Sequence, residues 1–234
     1  MITTIAFDGD DTLWHNERAF AVTQEKFRSV LAHYAPQGDI YGRLYETEVR
    51  NLRLFGYGVK GFTLSMIETA IELTEGRIDA RDIRTLLSLG KEMLEHPVEL
   101  LPDVPATIER LKDRYRLMVI TKGDLFDQES KLARSGLAEH FWRIEIVSEK
   151  DQACYRAILD RHGIAAQNFL MVGNSVRSDI LPVLAIGARA VHVPHPLVWQ
   201  HEVATPDEGT DFPVLGSVGE LERLLAELEA GTAA

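Results

Sequence analysis

The chain has 234 residues, enough for one large domain or a core domain with a smaller appended one. Its 25 Lys and Arg stand against 36 Asp and Glu, and the net charge of −11 excludes the basic footprint of a nucleic-acid binder. An acidic chain can still take an anionic small substrate where a metal and a few cations dominate one cleft.

Hydrophobic residues make up 45%, an ordinary share for a protein with a sizeable core. Cys154 is the single cysteine, so no internal disulfide can form and a reducing compartment fits. No basic or long apolar segment precedes Asp8, unlike a secretory signal, and no apolar run is long enough to span a bilayer. The expectation is a soluble, cytoplasmic protein without a membrane or nucleic-acid partner.

A short apolar strand over residues 2–7 comes first and ends abruptly in Asp8-Gly9-Asp10-Asp11. Phe20, Thr23, Phe27, Val30, Leu31 and Tyr34 then recur at helical spacing until Pro36-Gln37-Gly38 breaks the pattern. Further helices are expected over 40–54, 62–74 and 79–95, with Asp79 as an N-cap. Residues 16–96 therefore read as an all-helical insert. From Pro97 the rhythm alternates. Asp103 is placed to cap a helix ending near 112. Strands follow at 117–121, 141–147, 169–172 and 188–193, separated by helices at 124–135, 150–162 and 177–186. Residues 194–213 hold four prolines and read as irregular, and a last helix spans about 218–228 before a frayed tail. Such alternation implies an α/β fold, a doubly wound parallel sheet with helices on both faces, and a smaller all-helical domain. The expected boundaries are 1–15 with 97–234 for the core and 16–96 for the helical domain.

A parallel sheet brings the carboxyl ends of its strands to one edge, where ligands bind. Four places in the sequence lie at such ends or at helix starts: Asp8 with Asp10, Thr121, Lys150, and Gly173-Asn174-Ser175 with Asp179. The carboxylates after the first strand repel one another, and Mg²⁺ is the expected counter-charge because it takes carboxylates together with phosphate oxygens.

These places resemble, in order, the four motifs of the haloacid dehalogenase superfamily of phosphohydrolases. Asp8-Gly9-Asp10-Asp11-Thr12 is similar to its first motif and Thr121 after an apolar strand to its second. Lys150 is similar to its third, and Gly173-Asn174-Ser175-x-x-Ser178-Asp179 to its fourth. The resemblance implies a Rossmann-like core with a helical cap at the first insertion point. It implies Asp8 as the nucleophile and Asp10 as the acid and base. Thr121, Lys122, Gly123, Lys150 and Asn174 then contact the phosphoryl group, with Thr121 and Lys150 also in the catalytic set, and Asp8, Asp10 and Asp179 hold Mg²⁺. The implied activity is removal of phosphate from a small phosphorylated metabolite through an aspartyl-phosphate. The dehalogenase branch lacks an aspartate at the place of Asp10. The chain departs from the common pattern with Asn174 where Asp is frequent and with Asp151 after Lys150.

Phosphotransfer to a sugar hydroxyl, 2-haloacid dehalogenation and a catalytically weak binding role remain as alternatives, and monomer and homodimer are both open. Asp11 reads as a solvated or helix-capping residue and Cys154 as packing. His192, His195 and His201 read as structural or loop residues without metal spacing. Arg50, Arg53, Tyr57 and Lys60 read either as a loop facing the site or as a solvated helix end.

Overall fold

The computed structural model describes residues 1–35 and 38–231. The break expected at Pro36-Gln37 and the last three residues of the tail lie outside them. The chain divides into two compact units, one of residues 1–17, 98–122 and 128–234, the other of residues 18–97 and 123–127.

The first unit is built on β1 (Thr4–Phe7), α5 (Val104–Leu111), β2 (Arg116–Lys122), α6 (Leu125–Ser135), β3 (Arg143–Val147), α7 (Gln152–His162), β4 (Phe169–Gly173), α8 (Leu181–Leu184), β5 (Arg189–His192) and α9 (Leu221–Gly231). The first residues of α6 belong to the second unit. The strands form one parallel sheet in the order β3-β2-β1-β4-β5. Buried parallel strands read as apolar runs because both faces are covered. Alternate residues part to opposite faces. Ile5, Phe7, Leu117, Val119, Leu170 and Val172 pack with Ile108, Leu221 and Leu225 on one face. Ala6, Met118, Ile120, Phe169 and Met171 pack with Tyr155, Ile158 and Val183 on the other. Phe7 is in register with Val119 and with Val172, and the Asp8 N–H donates to the Val172 carbonyl at 2.9 Å. The residues after β1, β2 and β4 therefore emerge side by side at one sheet edge.

The second unit contains α1 (Glu17–Leu31) from Arg18 onward, α2 (Ile40–Phe55), α3 (Val59–Leu73) and α4 (Ala80–Glu95). Phe27, Leu31, Leu44, Phe62, Met66, Leu86 and Leu89 form its core. Asp39 caps α2 by accepting from the Gly42 N–H at 2.9 Å, and Asp79 caps α4 by accepting from Arg81 at 2.7 Å. Among the described residues no helix is long and apolar enough to cross a membrane.

Two local expectations fail for physical reasons. Asp103 precedes α5 but has φ 67° and caps nothing; its carboxylate accepts from Ser217 Oγ instead. The single helix expected over 177–186 is split into a wide π-type turn, Val176–Ile180, and the short α8. Pro182 has no N–H for the Ser178 carbonyl four residues back. That carbonyl accepts from the Tyr155 hydroxyl at 3.0 Å, and Leu181 bonds back to Val176. Such π-type turns are frequent at functional sites.

Candidate active site

Asp8, Lys150 and Asp179 converge although 142 and 29 residues separate Lys150 from its two partners. The Lys150 ammonium donates to Asp8 Oδ1 at 2.5 Å and to Asp179 Oδ1 at 2.7 Å, and all three side chains are buried. Each is set by its element. Asp8 ends β1. Lys150 precedes Asp151, the N-cap of α7, whose carboxylate accepts from the Cys154 N–H at 2.7 Å. Asp179 is carried by the π-type turn, and its second oxygen accepts from the Ser175 N–H at 3.0 Å. Gly173 makes this possible: a Cβ there would lie 2.2 Å from Asp179 Oδ2.

Burial holds the Asp8 carboxyl up at about 7, against the opposing pull of Lys150, with the Asp179 charge raising it further. Burial would lower the Lys150 ammonium, but Asp179 and Asp8 outweigh it and hold it above the ordinary lysine range. Two buried carboxylates thus share one cation. An all-oxygen donor set with charge to spare is what a hard divalent cation takes. Asp8 and Asp179 therefore fit Mg²⁺.

Asp10 lies in the turn closed by the Thr12 and Leu13 N–H groups on the Gly9 carbonyl. Its carboxylate accepts from Trp14 Nε1 at 2.7 Å, Gln128 Nε2 at 2.9 Å and Lys131 Nζ at 3.0 Å. Gln128 also accepts from the Thr121 hydroxyl at 3.4 Å, so one amide links Thr121 to Asp10. Gly9 leaves room for this arrangement: a Cβ would meet the Trp14 ring at 2.7 Å and Thr121 Oγ1 at 3.2 Å.

The remaining expected residues are placed less directly. Asn174 Oδ1 accepts from Thr12 Oγ1 at 3.4 Å. Lys122 is held by Glu202 at 2.6 Å, Ser178 Oγ at 2.8 Å and Glu149 at 3.3 Å. Gly123 has φ 144° and falls with the helical unit. In that unit Lys60 donates to Asp124 at 2.8 Å and Arg50 to Glu68 and Glu72 at 2.8 and 2.9 Å. Asp11 is buried, not solvated, and its oxygens accept from the Asn16 and Glu17 N–H groups at the start of α1.

Sequence reasoning missed three participants. Gln128 and Lys131 are one helical turn apart, which places them on one face of α6, but polar residues at that spacing ordinarily face solvent. Glu202 sits in the irregular loop after β5, where no period exists. Its carboxylate accepts from Lys122, Ser175 and Ser178, and burial is outweighed by Lys122 and these donors, so it is held down at about 2.

Comparison with known proteins decides the family. The family of haloacid dehalogenase-like hydrolases matches over residues 2–187. The chain belongs to that family. It is 40% identical to a haloacid dehalogenase-like family hydrolase from Xanthomonas campestris whose structure superposes with a TM-score of 0.87, over 99% of this chain and 94% of that one. A 2-haloacid dehalogenase from Pseudomonas syringae pv. Tomato DC3000, 24% identical over 97% of this chain and 100% of that one, shares the fold with a TM-score of 0.65. Among curated relatives, the N-acylneuraminate-9-phosphatase of Mus musculus is 27% identical over 69% of this chain and 66% of its own length. The phosphoserine phosphatase of Thermus thermophilus is 30% identical over 46% of each chain. The chain thus spans about half to two thirds of the length of these two curated relatives.

Proposed function

We propose that this hydrolase is a Mg²⁺-dependent phosphatase of a small phosphorylated metabolite and that Asp8 is its nucleophile. The observation that carries the reading is the buried Asp8–Lys150–Asp179 cluster at the sheet edge. Phosphate monoesters resist water because an anion must be attacked by a nucleophile that is itself electron-rich. A carboxylate nucleophile divides the reaction into attack and hydrolysis. Asp8 Oδ attacks phosphorus, the ester oxygen leaves, and water then attacks the aspartyl-phosphate to return the carboxylate and inorganic phosphate. Lys150 holds Asp8 in place and supplies positive charge for the phosphoryl oxygens. Asp10 gives the leaving oxygen a proton and takes one from water in the second step. Gln128 and Lys131 fix the orientation of its carboxylate. Thr121 offers a hydroxyl to a phosphoryl oxygen. Asp8 and Asp179 would hold Mg²⁺ with Asp10, and the bound ion would neutralise phosphoryl charge.

The presence of Asp10 favours an oxygen leaving group over a halide, and the relatives named for phosphatase activity support the same choice. Replacing Asp8 by Asn is expected to abolish Mg²⁺-dependent release of phosphate from a generic aryl phosphate while circular dichroism stays native. Undiminished turnover in that variant would remove the assignment.

A further inference from the structure

A second group of donor atoms lies in the same unit and serves no step of the reaction above. Asp11, His15 and His195 each present one ligand atom, and these atoms lie within 4.8 Å of one another. Asp11 holds an uncommon left-handed backbone, φ 58°, and its carboxylate is buried. His195 Nε2 stands 3.5 Å from Asp11 Oδ1, with the two side chains 8% and 3% exposed. The rings of His15 and His195 meet edge to face at 5.8 Å.

The orientation of His195 is informative. Its Nδ1 lies 2.9 Å from the Leu197 carbonyl and accepts from the Leu197 N–H at 3.3 Å, so Nε2 is the ring nitrogen that faces the buried carboxylate. Backbone contacts on the far nitrogen are the usual device that orients a ligating histidine. The separation of 3.5 Å is also about what two ligands on one tetrahedral ion adopt when each sits about 2.0–2.2 Å from it.

We propose that Asp11, His15 and His195 bind a divalent cation of the Zn²⁺ class. Two imidazoles and one carboxylate suit a borderline first-row ion, whereas the oxygen-only Asp8 and Asp179 set suits Mg²⁺. The donor types therefore separate the two sites by ion as well as by place. The ion would tie the loop after β5 to the turn after β1, and the former loop carries Glu202, the carboxylate on Lys122, Ser175 and Ser178. A water would complete four ligands.

The test uses the full chain, stripped with a chelator, in excess Mg²⁺, with Zn²⁺ alone as the probe. Equilibrium dialysis is expected to find one Zn²⁺ per chain bound by this group, with a rise in melting temperature. His15→Gln and His195→Gln should each weaken binding at least about tenfold, the loss caused by removing even an outer partner of a ligand. Asp8→Asn should leave it unchanged. Absence of binding, binding indifferent to both histidine variants, or loss in Asp8→Asn would each overturn the proposal; the last would assign Zn²⁺ to the Mg²⁺ site. Should a histidine variant fail to fold, the visible spectrum of Co²⁺ added to the unaltered chain decides: bands of nitrogen ligation support the site, and their absence overturns it.

Discussion

Lys150 is one charge between two, and that imbalance makes the site expensive to keep folded. Removing it by Lys150→Met would leave Asp8 and Asp179 buried without a cation. Breaking a buried ion pair in this way costs about 3–5 kcal/mol. The variant is expected to lose turnover and to unfold at a clearly lower urea concentration. Asp8 gives the opposite result. Its carboxyl titrates near 7 when folded, against an ordinary value of 3.8. Between those values the folded state holds a proton that the unfolded state has released, so this group's contribution to stability falls as pH rises from about 4 to about 7. Asp8→Asn removes that loss. In metal-free buffer the inactive variant should be more stable than the parent at pH ~8, on the order of 1–4 kcal/mol, and the gain should shrink toward pH ~5. Urea curves at the two pH values measure both effects. A variant that is less stable at alkaline pH would show that Lys150 more than offsets the burial of Asp8.

At the scale of elements, helix α2 combines an ordinary surface with one unusual half-buried group. Arg50 pairs with Glu68 and Glu72 on α3, but these side chains are more than a third exposed, and such pairs contribute at most about 1 kcal/mol. Glu48, two residues earlier, is pushed up to about 8 by burial alone, with no opposing cation among its causes. From about 4.5 to about 8 the folded chain keeps the Glu48 proton while the unfolded chain gives it up, so stability declines through that window. Glu48→Gln is expected to stabilise the protein by about 1–3 kcal/mol at pH ~9 and to change little at pH ~5, as read by thermal melts. The same helix shows where sequence patterning stops. Apolar spacing located α2, and Asp39 and Asp79 sit at helix starts where short polar side chains cap. Periodicity does not distinguish the inward glutamate from Glu46, which is exposed.

For the whole molecule, what was legible follows from the sheet. The buried strand β1 is an apolar run and its first polar residue, Asp8, marks the sheet edge, whereas Lys150 and Asp179 stand three and six residues beyond the ends of β3 and β4 and were accessible only with the family resemblance. Gln128 and Lys131 were not, because a polar helix face looks the same whether it meets water or Asp10. Glu202 and His195 were not, because a proline-rich loop has no period and its folding back is a tertiary event. The interior this assembles has a net deficit of positive charge that a divalent ion would relieve, and that makes stability itself a readout of metal. An ion that binds only the folded state stabilises it by about 2.7 kcal/mol at 100 times its Kd. For a chain of this size that corresponds to roughly 5–10 °C in melting temperature. Mg²⁺ added to chelator-treated protein is therefore expected to raise the transition of the sheet-bearing unit. Asp179→Asn, which keeps the side-chain volume and loses the charge, should remove most of that rise. If the rise persists in Asp179→Asn, Mg²⁺ is held by other groups. If Mg²⁺ moves neither protein, the buried carboxylates are served by Lys150 alone and the metal assignment fails.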